Sequence, residues 1–185
     1  MHERQAIRQA VVAQLRGSAP DYNTAAGARV FETRMAPIRS AELPAISVYT
    51  SDETIDADSA ATAPRELRRT LQLAIEAWCA ATVNVDDAFD ALALQIETAM
   101  DSDVNLADTC FSCVLSSIET GIKMEADKPM GCVRLEYSVV YHTDLRTSAA
   151  DTAREIFDTA AVQYSLEGNQ APLDQAADLV DNIHE

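Results

Sequence analysis

The sequence predicts an α+β fold: a mainly antiparallel sheet with helices packed on one face, plus an acidic helical C-terminal extension. Three observations predict it. Met130–Thr143 (MGCVRLEYSVVYHT) alternates with period two: Val133, Leu135, Tyr137, Val139 and Tyr141 fall on one side, and Cys132, Arg134, Glu136 and Ser138 on the other. That is the pattern of a strand with one buried face. Val85–Met100 sets Val85, Phe89, Leu92, Ile96 and Met100 on one helical stripe. Leu115–Glu125 alternates Ile118, Thr120, Ile122 and Met124 against Glu119, Lys123 and Glu125, then meets the turn Asp127–Gly131, so the last two strands form a hairpin.

The remaining elements follow in chain order. Residues 3–16 place Ile7, Val11, Val12 and Leu15 at helical spacing with Arg4, Arg8 and Arg16 toward the other face, and Gly17 ends that helix. Ala28–Arg34 puts Val30 and Phe31 in a short strand. Leu43-Pro44 leads into a second strand, Ala45–Thr50, because proline suits a strand's first residue and not its middle. Asp52–Pro64 has no period and reads as a surface loop. Arg65–Ala81 fits two templates. Leu67, Leu71, Ile75 and Trp78 suit a helix, whereas Leu71, Leu73, Ile75, Ala77 and Cys79 suit a strand. For the helix over 85–100, Asn84 is a good N-cap, and Asp86 and Asp87 complement the helix dipole. After Asp144 the character changes: Thr147–Leu166 and Pro172–Ile183 read as two helices broken at Gly168-Asn169. This divides the chain into a domain over 1–143 and an acidic, partly helical extension over 144–185.

Charge is the strongest bias. The chain holds 14 basic and 30 acidic residues, a net charge of −16. Residues 1–69 carry nine of each sign and are neutral, so residues 70–185 carry the whole imbalance. A strong negative field repels phosphate backbones and argues against nucleic-acid binding by counterion release. No apolar run approaches the roughly 20 residues of a membrane span. The N-terminal residues also lack the apolar run and cleavage site of a secretory signal. A soluble, cytoplasmically made protein is expected.

No pattern of residues encodes catalysis. The cysteines are Cys79, Cys110, Cys113 and Cys132; only Cys110 and Cys113 form a tight pair, while the others lie alone in expected strands. A zinc or redox site is the less favoured reading, since small buried hydrophobes explain them as well. His2, His142 and His184 are not at metal-ligand spacing, and five glycines leave no phosphate-cradling loop. The expectation is a non-enzyme without cofactor or metal. The basic residues are more informative: Arg29, Arg34 and Arg39 lie near the first strand, and Arg65, Arg68 and Arg69 open the third. In an acidic protein these two groups suit contacts with the acidic surface of a neighbouring copy, or are simply solvated strand faces. Trp78, on the polar side of its strand, is a second interface candidate if that segment is a strand, and core if it is a helix.

Over roughly residues 1–143 the order of elements resembles one family. RQAIRQAVVAQL leads to ARVFETRMAPI and ELPAISVYT; RELRRTLQLAI is followed by DDAFDALALQIETAM and finally VRLEYSVVYHT. This is similar to the tail terminator proteins of long-tailed bacteriophages, the minor tail protein U-like family. The resemblance implies a strand at 65–81 and hence the order α-β-β-β-α-β-β. It also implies a structural virion protein at the head-proximal end of the tail, assembled in the host cytoplasm. Its copies would form a ring, commonly hexameric, that caps the tail tube protein, stops its polymerisation and offers a joint to the neck or head-completion protein. DNA would pass the lumen without specific binding. Another head–tail joining protein, or a small cysteine-based metal or redox protein, are the alternative readings.

Overall fold

The computed structural model describes residues 2–61, 66–80, 85–125, 128–144, 159–163 and 177–181. Backbone contacts divide the chain into two units, 1–145 and 146–185. The first is built as helix α1 (Glu3–Arg16), strands β1 (Val30–Glu32), β2 (Ala45–Asp56) and β3 (Glu66–Ala80), helix α2 (Val85–Asp101), and strands β4 (Ser112–Glu125) and β5 (Lys128–Asp144). The sheet runs β1-β2-β3-β5-β4; β1 lies parallel to β2 and every other pairing is antiparallel. It is an α+β fold with a mixed five-stranded sheet.

The sheet is organised by β3 and β5, which pair without a shift from Glu66↔Asp144 to Ala80↔Met130. Leu71 faces Val139, Leu73 faces Tyr137, Ile75 faces Leu135 and Ala77 faces Val133. Because side chains alternate along a strand, all eight lie on one face. They are buried there with Ile7, Val11 and Leu15 of α1 and Phe89, Leu92 and Ile96 of α2. Each fully buried Leu, Ile, Val or Phe contributes about 1.5–3 kcal/mol, so this layer dominates stability. The segment 65–81, open between two templates on its residues alone, is a strand. Pairing on both sides outweighs the helix propensity of its Leu, Gln, Glu and Arg.

Three expectations are corrected. Asp52–Pro64 is not loop throughout: after a register shift between Thr50 and Glu53, β2 continues to Asp56, with Thr54↔Thr70 and Asp56↔Arg68. The long third strand supplies a template that the Asp/Ser/Thr composition concealed. The turn expected at 127–131 is shorter, because β5 begins at Lys128. Pro129 is accommodated there since β3 ends opposite Met130, so no β3 residue needs a donor from it. In the second unit, Thr159–Gln163 (β6) and Ala177–Asp181 (β7) pair as antiparallel strands, not as parts of helices. Val162, Leu179 and Val180 sit in short apolar runs that suit strands, and helical spacing there was weak. The rest of the two expected helices, the Asn84 cap and Arg65 lie outside the described residues.

Helix α1 ends as expected, Gly17 taking φ +67°. Gly131 has a different reason. A Cβ there would lie 2.6 Å from Cζ of Phe89 and 3.0 Å from Cγ2 of Val85. The missing side chain lets α2 settle onto the sheet. Gly131→Ala should therefore destabilise the fold by about 1–3 kcal/mol in urea unfolding, as overpacking does. An unchanged midpoint would mean that α2 does not bear on β5.

Candidate assembly surfaces

The sequence-predicted arginines divide by what they touch. Arg34 is tied into its own loop. It donates to the Ala36 and Pro37 carbonyls at 3.0 and 3.3 Å and grips both oxygens of Glu42 at 2.9 and 2.8 Å. Its guanidinium also stacks 4.5 Å from the Phe31 ring centroid. The Arg39 backbone N–H donates to the same Glu42 carboxylate at 2.9 Å, and with Arg34 this holds the Glu42 carboxyl below its ordinary range. Arg69 is similarly occupied, donating to Thr143 Oγ1 at 2.8 Å and pairing with Glu53 at 3.5 Å. Glu53 also accepts from the Tyr141 hydroxyl and lies 3.8 Å from Arg4, which anchors the strand β2 beyond its register shift. Arg29, Arg39 and Arg68 are exposed, although Arg29 Nε donates to the Pro44 carbonyl at 2.9 Å. The structure thus brings Arg29, Arg34 and Arg39 together around β1 and leaves Arg68 and Arg69 on β3.

Trp78 corrects a further expectation. It does lie on the face opposite the helices, opposite Cys132, but it is only 9% exposed. Ile38, Ala45 and Met130 bury with it, and Phe31, Leu43 and Cys132 pack around them. The segment that Arg34 knots together folds over the tryptophan, a long-range event that no local spacing announces. Trp78 is the chain's single tryptophan, so it reports on this cover. Arg34→Ala should move its fluorescence maximum to longer wavelength as water reaches the indole. An unshifted maximum would show the cover holding without Arg34.

The thiols are placed unfavourably for thiolate chemistry. Cys79, opposite Gly131, and Cys132, opposite Trp78, fall on opposite faces of the sheet and cannot join one site. Burial, with a contribution from Asp103, pushes Cys110 up to about 11. Burial, then Cys110 and Asp101, pushes Cys113 up to about 12. Among the described residues no group of three or more His, Cys, Asp or Glu is arranged to hold a metal, and no helix is long and apolar enough to cross a membrane. Since the folded state keeps both protons above the ordinary thiol value of 9.0, the stability these groups contribute is intact below it. It declines as pH rises through the folded values. Thermal melts should hold steady up to about pH 8 and fall increasingly above about pH 9. A Cys110→Ala/Cys113→Ala variant should lose part of that fall; an identical profile would show that the thiols carry none of it.

Sequence reasoning missed the open edge of the sheet. β4 is the outermost strand opposite β1. α1 packs mainly over β1 and β2, and α2 over β3 and β5; at the start of β4 only Cys113 and Leu115 pack against the core among its described residues. Ile118 and Ile122, paired with Leu135 and Gly131 and therefore on the helix side, remain 44% and 58% exposed. Their isoleucine alternation was legible; that they stay exposed depends on strand order. Among the described surface depressions, several have arginines already engaged within the chain. Around His2, Arg4 and Arg8, for example, Arg8 bonds Glu32 and Thr50 at 3.1 Å each.

The phage minor tail protein U family matches residues 2–141, and the chain belongs to that family. It is a structural protein of the phage tail and a component of the virion, in a family generally without catalytic activity. A comparison with curated proteins gives no match.

Proposed function

We propose that the chain is a tail terminator: copies assemble into a ring, hexameric as the family resemblance implies, on the head-proximal end of the tail tube. The observation that carries this reading is the family match, which spans the helix-and-sheet unit from α1 to Tyr141 in β5. The ring ends polymerisation of the tube protein and presents its other face to the neck or head-completion protein. Two unlike sheet edges support it, because a contact between different surfaces of identical subunits closes into a ring when its rotation allows. The charge of −16 supports a lumen that DNA slides through without sticking. Residues 1–143 form the terminator domain, and the acidic extension over 144–185, beyond the matched region, is an accessory segment for contact with a neighbouring component. Of the arginines, Arg29, Arg39 and Arg68 are the ones left available to a partner, because Arg34 and Arg69 are spent on internal contacts.

Deletion of the gene from its phage tests the reading directly. Electron micrographs should show abnormally long tails without heads, and the purified chain added to tubes should cap one end as a six-fold ring. Tails of normal length left unattached would instead identify a head–tail joining protein.

A further inference from the structure

We infer that the ring contact is made head to tail between the two opposite edges of the sheet: the arginine-bearing β1 edge of one copy seats on the acidic, apolar β4 edge of the next. This rests on the ring reading above and specifies which surfaces form it.

The strand order separates charge across the molecule. At the β1 edge Arg8, Arg29, Arg34 and Arg39 stand against Glu32 and Glu42, a net charge of +2. Glu32 is taken by Arg8 and Glu42 by Arg34, which leaves Arg29 and Arg39 as the outward-facing cations. Between them in sequence lies Met35, 94% exposed. Residues 85–125, which make α2, the following loop and β4, hold nine acidic residues against a single basic one, Lys123. With strands about 4.8 Å apart, these two edges lie roughly 19 Å from one another across the five-stranded sheet. Such a subunit repels a second copy edge-on in the acidic-to-acidic orientation and accepts it basic-to-acidic.

The acidic edge is also the apolar one. Ile118 and Ile122 face the side that α2 leaves bare, and Phe111 and Val114 are exposed near the start of β4. The outer backbone of β4 has no neighbouring strand among the described residues. A long edge strand with exposed apolar side chains is a template for association unless something covers it. The flexible thioether of Met35 suits the exposed isoleucines, and Arg29 and Arg39 suit a surface with acidic excess. Neither edge matches itself, so a symmetric two-fold dimer through either one is disfavoured and the contact propagates from copy to copy.

Two variants break opposite halves of the contact. Arg29→Glu with Arg39→Glu disables the basic edge, and Ile118→Arg with Glu119→Arg disables the acidic edge. All four side chains are exposed, and circular dichroism checks that each protein folds. Met35→Asp, which has no packing to lose, serves as an independent basic-edge variant. Light scattering should show rings for the wild type and monomers for each variant alone. An equimolar mixture of the two double variants should form a one-to-one heterodimer and stop there, since each retains the edge the other lacks. A wild-type ring that survives the edge variants overturns this contact while leaving the ring reading intact, and so does a ring that survives while tube capping is lost. A wild-type chain that stays monomeric alone and ignores tubes overturns both.

Discussion

Everything in the first unit hangs on the uninterrupted pairing of β3 with β5. These are the two longest strands of the sheet, and their register places Leu71, Leu73, Ile75 and Ala77 against Val139, Tyr137, Leu135 and Val133 on one face. A slip of one residue would turn that whole apolar set toward solvent, so burial and register enforce each other. The other elements are added to this pair. β2 takes its direction from β3, β4 is joined to β5 by a hairpin, and both helices lie on the face that the register made apolar. Gly131 belongs to the same logic, because the space it leaves is filled by Phe89.

The opposite face shows how a small protein covers only what it must. Most of it is left to polar side chains such as Arg134, which bridges Glu76 and Glu136 at 3.0 Å each. Trp78 is the exception, and the segment between β1 and β2 closes over it. That segment has little regular structure of its own, so its shape comes from the Arg34–Glu42 knot and the Phe31 stack. Charge here acts within the chain, to fix a loop, before any of it is available between chains.

Asymmetry is the property that links the fold to tail assembly. In the proposed terminator role, growth stops at a defined point only because the subunit's surfaces are not interchangeable. In this chain the inequality is built by sequence order: eight of the nine basic residues of positions 1–69 lie on α1, around β1 and on β3, while the acidic excess falls later in the chain. The same negative surface suits a component of a conduit for DNA, where attraction would retard passage.

Much of the architecture was legible in local patterns. Alternation at Val133–Tyr141 marked a one-sided strand, the stripes of α1 and α2 marked their buried faces, and Gly17 and Pro44 marked boundaries; period and propensity are properties of neighbouring residues, so a linear reading reaches them. The segment 65–81 stood at the limit, with two periods compatible with its residues and the family resemblance tipping the choice. Beyond that limit lay the extension of β2 to Asp56, the pairing of Thr159–Gln163 with Ala177–Asp181, the cover over Trp78, the internal engagement of Arg34 and Arg69, and the open edge at β4. Thus the sequence by itself determined which face of each principal element of the first unit is apolar and how charge is distributed along the chain. Only the tertiary structure decided which strand stands at the edge, which arginines are already paired and which side chains stay uncovered, because these depend on contacts between residues far apart in the chain.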